Sequence, residues 1–180
     1  MKQPKPRKCK GCGEMFTPPV HSSLATSCSY GCAFKVTDEK IRKKAAKAIQ
    51  KERKERLKTL TEHLNDAQKE FNKFIRLRDR DLPCISCGRF HNGQYHAGHY
   101  RTTAAASQLR FDERNVHKQC SPCNNHKSGN VTEYRINLIK KIGQENVEAL
   151  ENNSETRRYT IEEAKAIKKK YRDKCKELEG

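Results

Sequence analysis

Eight of the nine cysteines in this chain fall into four close pairs: Cys9/Cys12, Cys28/Cys32, Cys84/Cys87 and Cys120/Cys123. Two thiolates two or three residues apart in a tight turn can both reach one tetrahedral ion at about 2.3 Å, and two such pairs complete its shell. The pairs therefore predict two structural Zn2+ ions, one held by Cys9, Cys12, Cys28 and Cys32, the other by Cys84, Cys87, Cys120 and Cys123. Disulfides are the competing reading, disfavoured because nothing in the chain points to an oxidising compartment. A zinc ion closed by four cysteines does no chemistry, so any activity must come from groups held beside it. The second set offers His96, His99, Asn115, His117, Asn124 and His126 within 31 residues. Hydrolysing a phosphodiester needs a water deprotonated near neutral pH, and an imidazole, with an ordinary pKa of about 6.5, suits that task.

The elements that must position these residues follow from composition. Residues 1–36 form the first zinc module, with Gly13 just past the second ligand, where a knuckle needs positive φ. From Asp38 to about Arg80 there is no Gly or Pro and the residues are good helix formers, which predicts one long basic helix or two nearly continuous ones. Leu57, Leu60, Leu64, Ala67, Phe71 and Phe74 draw a 3-4 seam along it, to pack on the chain's own core or on a second copy. Leu82-Pro83 ends that helix. Short strands suit Tyr95–Tyr100 and Asn115–Cys120, and the chain should turn helical after Cys123. Val131, Tyr134, Leu138, Ile139 and Ile142 make an apolar face closed by Gly143, and Thr160 with Glu163 is a capping box for a last helix. Cys175, the ninth cysteine, lies on that helix's apolar face as a buried small residue.

Among 180 residues, Lys and Arg number 39 against 22 Asp and Glu, a formal charge of +17 that points to a polyanionic partner. Two zinc–thiolate sites at −2 each lower it only to +13. The longest stretch free of charged residues, Met15–Phe34, contains Pro18 and Pro19 and cannot span a membrane, and the basic start leads into no apolar signal core.

The order C-x2-C, strand His, Asn, then C-x2-C-Asn at a helix start resembles the HNH (ββα-metal) nucleases of the zinc-knuckle type. Ala97-Gly98-His99-Tyr100-Arg101-Thr102-Thr103, Gln108-Leu109-Arg110-Phe111 and His126-Lys127-Ser128-Gly129-Asn130 resemble, more closely, the NinG/Rap recombination proteins of lambdoid phages. The likeness covers nearly the whole chain and is strongest over residues 71–170. It implies an α+β fold: a zinc-knuckle HNH core at 83–130 after the N-terminal module (1–36) and the long basic helix (37–82), with a helical C-terminal tail (131–180) packing on the core. It implies a structure-specific endonuclease that cuts Holliday junctions and D-loops in the cytoplasm of a phage-infected host. By the same resemblance His99 is the general base, Asn124 a ligand of a catalytic Mg2+ or Mn2+, and Asn115 the residue that ties the loop carrying His99.

One position departs from the family pattern: Gly98 stands where Asp or His usually gives a second metal ligand. His96, two residues back on the same strand face, is the best substitute and His117 the second; His126 points away from Asn124. Arg101, Thr102, Thr103, Arg110, Arg114 and Lys127 are the expected phosphate contacts, recognising branched DNA by shape and charge. A homodimer would suit two nicks at one junction. The alternatives are a non-catalytic zinc-dependent DNA-binding recombination mediator and, less favoured by the charge, an adaptor for acidic proteins.

Overall fold

The computed structural model describes residues 4–180, so the first three residues of the expected 1–36 module lie outside the described residues. The chain divides into two compact units between Lys58 and Thr59, not at 36 and 82.

In the first unit, strands β1 (Arg7–Lys8) and β2 (Met15–Phe16) pair antiparallel, with Arg7 opposite Phe16. The turn between them carries Cys9 and Cys12, and Gly13 takes φ 82°, the left-handed geometry that the knuckle requires. Helix α1 spans Tyr30–Arg56 and starts inside the expected zinc module, because Ser29 caps it by accepting a hydrogen bond from the Cys32 amide at 3.2 Å. Cys32 therefore sits in the first turn of α1. No side chain of this 27-residue helix is buried, and among the described residues of the unit only Cys9 and Pro18 are. A unit with so little core would need a metal held by its four cysteines to fold.

The second unit contains α2 (Leu60–Arg78), β3 (Tyr95–His99), β4 (Val116–Cys120), α3 (Val131–Ile142), α4 (Gln144–Asn152) and α5 (Ile161–Glu179). Of the two expected forms, one long helix or two nearly continuous ones, the structure shows the second, because Thr59 and Glu62 form a capping box that begins α2 afresh. Helix α2 also stops before Leu82-Pro83, at Asp79, whose carboxylate is drawn into a buried network described below. Strands β3 and β4 form an antiparallel hairpin with Gly98 opposite His117 and His99 opposite Val116. Ala97 and Val116 face a cluster built from Phe71, Phe74, Ile75, Tyr171 and Cys175 of α2 and α5. On the other face Tyr134 of α3 donates its hydroxyl to the Gly98 carbonyl at 2.9 Å. A second cluster joins Tyr134 and Leu138 to Val147 and Leu150 of α4 and to Ile85, Tyr100 and Leu109. The hairpin is thus held between two helical layers.

The lower half of the predicted seam, Ala67, Phe71 and Phe74, is buried within the unit, while Leu57 and Leu60 stay exposed. The segment after Cys123 does not run straight into an α-helix. Pro122–His126 form one π turn, and Ser128, Gly129 and Asn130 take positive φ, which stops the helix until Val131. Gly143 closes α3 as the sequence predicts, but it also opens the unforeseen α4. The Thr160–Glu163 capping box is present and Cys175 is buried.

Candidate functional site

In each predicted cysteine set the four sulfurs lie within 4.8 Å of one another, the spacing that one tetrahedral ion needs. Backbone amides support them: those of Gly11 and Cys28 donate to the Cys9 sulfur, and that of Cys120 to the Cys84 sulfur, each at 3.3 Å. Such donors favour thiolate over thiol, so both sets fit Zn2+. The two sites differ in exposure. Cys84, Cys120 and Cys123 are buried, whereas Cys12 and Cys28 are exposed. His91, which the sequence reading did not single out, places Nε2 3.2 Å from the Cys87 sulfur.

Beside the second set is a cleft of about 530 Å³ whose walls include His99 at the end of β3, Tyr100, Thr102 and Thr103 from the loop after it, Asn124 from the π turn and Ser128 just beyond that turn. His99 and Asn124, 25 positions apart, thus meet at one surface. The His99 Nε2 lies 3.1 Å from the Arg110 carbonyl. A carbonyl only accepts, so Nε2 carries the hydrogen and Nδ1 holds the free lone pair. Burial lowers the His99 pKa below the usual histidine value, against the opposing bond to Arg110. The ring is therefore neutral at pH 7, as a base must be.

Asn115 is fully buried and clamps the chain just beyond His99. Its Oδ1 accepts from the Arg101 amide at 2.9 Å, and its Nδ2 donates to the Arg101 carbonyl at 3.0 Å and to the Leu109 carbonyl at 3.2 Å. One side chain thus holds both ends of the loop that leaves β3. Asn124 is half-buried, with its Nδ2 2.7 Å from Asn125 Oδ1.

The other predicted ligands are elsewhere. His117 points to the opposite face of the hairpin from His99 and both its nitrogens are engaged. Its Nδ1 accepts from Arg78 at 2.9 Å and its Nε2 donates to the Arg114 carbonyl at 3.1 Å. His96 shares the His117 face; its Nε2 is the one buried side-chain nitrogen or oxygen among the described residues without a hydrogen-bond partner. His126 is exposed. Neither His96 nor His117 lines the cleft.

Gly98 has a structural explanation that the sequence could not supply. A Cβ placed there would lie 2.0 Å from Oε1 of Gln119, whose side chain fills the space. Gln119 is buried and donates to Ser86 Oγ at 2.6 Å and to the Gly129 carbonyl at 2.5 Å, joining the zinc knuckle to the loop that follows Asn124. The cleft therefore offers an imidazole, an amide and hydroxyls, but no carboxylate. Among the described residues the only clusters of three or more His, Cys, Asp or Glu are the two cysteine sets. That donor set does not fit a resident Mg2+ or Mn2+, which wants charged oxygens.

The expected phosphate contacts divide into two groups. Thr102 and Thr103 are exposed on the cleft wall and Lys127 is exposed beside the π turn. Arg101 instead donates from Nη1 to the carbonyls of Leu150, Glu151 and Asn153, capping the C-terminus of α4. Arg110 bonds Gln68 at 2.9 Å and Arg114 pairs with Asp112 at 2.7 Å. These three guanidinium groups are engaged within the chain.

Beneath the hairpin lies the buried network that ends α2. Asp79 accepts from Arg78 at 2.8 and 2.9 Å, from the Lys118 amide at 3.1 Å and from Lys141 at 3.1 Å. Burial pushes its carboxyl up, yet the bonds from Arg78 and the charges of Arg78 and Lys141 outweigh that and hold it far below the usual carboxylate range. The network fixes α2, β4 and α3 to one another behind the cleft.

A family model described as the bacteriophage lambda NinG protein matches residues 1–180. The protein ninG of Escherichia phage lambda is 48% identical over 199 residues, covering 99% of this chain and 96% of that protein. That of Escherichia phage 933W is 48% identical over 193 residues with the same coverage, and that of Salmonella phage P22 is 47% identical over 193 residues, covering 96% of this chain and 93% of its own. No solved structure matches.

Proposed function

From the premise that the chain belongs to the NinG family of lambdoid phages, we propose that it is an HNH-type DNA endonuclease that cuts branched recombination intermediates, Holliday junctions and D-loops among them. The observation that carries the reading is the single cleft shared by a neutral, oriented His99 and by Asn124, next to a four-cysteine zinc site. His99 Nδ1 takes the proton of the attacking water, and the Arg110 carbonyl, bonded to Nε2, steadies the imidazolium that results. Asn115 keeps the loop that carries Thr102 and Thr103 at a fixed distance from that nitrogen. A Mg2+ or Mn2+ requirement is part of the proposal; with no carboxylate in the cleft, the charge that retains such an ion must come from the DNA itself.

The test is incision of a labelled four-way junction, a D-loop and a matched linear duplex, with Mg2+ or Mn2+ against EDTA. Metal-dependent incision of the branched forms is expected, and His99→Ala should slow it by about 10²–10⁴-fold while binding persists. The base works only when neutral, and burial lowers its pKa, so the acid limb of the rate profile should fall below about pH 6.5 and should disappear in His99→Ala. Tight binding without incision in any metal would sink the nuclease reading. The missing carboxylate favours one alternative in that event, a DNA-binding recombination mediator whose two zinc sites only support structure.

A further inference from the structure

Helix α1 belongs to the first unit, supplies none of the cleft's lining residues and carries a pattern of its own. At 100° per residue, Lys40, Lys43, Lys44, Lys47, Lys51 and Lys54 fall within an arc of about 100° on one side of the helix. None of the four acidic residues, Asp38, Glu39, Glu52 and Glu55, lies in that arc. All six lysines are exposed. Lys43 pairs with Glu39; among the described residues the other five make no ion pair. An ordinary solvated helix scatters its charges and offsets them with partners at i+4, whereas this one gathers a single sign on one face.

We propose that this lysine face is a docking surface for the phosphate backbone of a DNA duplex arm, outside the cleft and indifferent to sequence. The proposal rests on the reading that the chain binds DNA but not on its cutting DNA. Charge complementarity selects the occupant. The stripe runs about 21 Å from Lys40 to Lys54, and a duplex presents about 12 phosphate charges over that length. A membrane surface is the competing polyanion, since Tyr30, Phe34 and Ile41 are exposed on the same helix. On that apolar side, however, Glu52 falls at the same bearing as Phe34 and Asp38 lies at its edge. Both would have to enter the acyl boundary if the helix lay flat on lipid. Lysines alone carry little base-reading geometry, so the contact should add affinity equally on all DNA forms.

The experiment measures binding of the full-length chain to a labelled 30-base-pair linear duplex and to a four-way junction across a salt series. The triple variant Lys44→Gln, Lys47→Gln, Lys51→Gln should reduce the slope of log K against log salt by about 2.7, alike on both DNAs. The same three positions changed to Arg should restore it. Lys35→Gln, Arg42→Gln, Arg53→Gln, an equal loss of charge on another side of α1, should change the slope by less than half as much. Zinc content and helical circular dichroism verify that each variant is folded. An unchanged slope, or equal effects from both triples, would overturn the proposal. So would a triple variant that keeps its DNA affinity but loses binding to phosphatidylserine vesicles. Failure of the wild-type chain to bind any DNA would overturn the function proposed above as well, whereas slopes insensitive to the stripe would leave that function standing.

Discussion

Gly98 and Gln119 behave as one feature written in two places. The glycine leaves a hole on its strand and the glutamine from the neighbouring strand fills it, spending its amide on Ser86 and Gly129. Gly98→Ala should therefore cost about 2–3 kcal/mol, since the intruding methyl displaces a buried amide from two hydrogen bonds. In a Gln119→Ala background the same change should cost much less, and thermal or urea unfolding of the four chains completes the cycle. Additive costs would mean that the two residues do not compete for one space. At this scale the cysteines and the pairing of His99 with Asn124 were legible, because metal ligation and motif spacing are local in sequence. Gln119 and Asp79 were not. All five residues of β4 are buried, so no alternation marked its inward positions. In Arg78-Asp79-Arg80-Asp81 nothing local tells which aspartate faces the core.

Among the elements, the two four-cysteine sets are chemically alike and differently protected. Exposed Cys12 and Cys28 leave the first site open to a chelator, and the unit around it has almost no core, whereas the second is enclosed by its own hairpin and flanked by packed helices. A metallochromic chelator should thus draw out zinc in two phases of about one equivalent each. Cys12→Ser should abolish the fast phase and leave the slow one. A single phase in the wild-type chain would show that the sites open together. Element boundaries were the least legible part of the sequence. Helix propensity runs unbroken through residues 38–80, and only the Thr59–Glu62 capping box, a contest between side chain and backbone, divides it. The π turn was hidden for a similar reason: its backbone follows from tertiary demands on Cys123 and on Ser128–Asn130 rather than from propensity.

For the molecule as a whole, composition argues against one large core, and the division into two units agrees with that. We propose that the homodimer expected from the sequence would use a shorter seam: Ala67, Phe71 and Phe74 are covered by the chain's own helices, which leaves Leu57 and Leu60 exposed. Light scattering should give the mass of a dimer for the wild-type chain and of a monomer for Leu57→Glu with Leu60→Glu. Equal masses would rule out association through this stretch.

Helix α1 buries none of its side chains, so nothing in the core polices its sequence. Exposed exchanges of this kind alter stability by only about 0.5 kcal/mol. Beyond Cys32 and the first turn, mutation can therefore drift through α1 almost freely, with whatever it touches outside the chain as the main judge. The same freedom makes it a convenient handle: a fluorophore or cross-linker placed along α1 would report on its surroundings with little disturbance to the fold it is attached to.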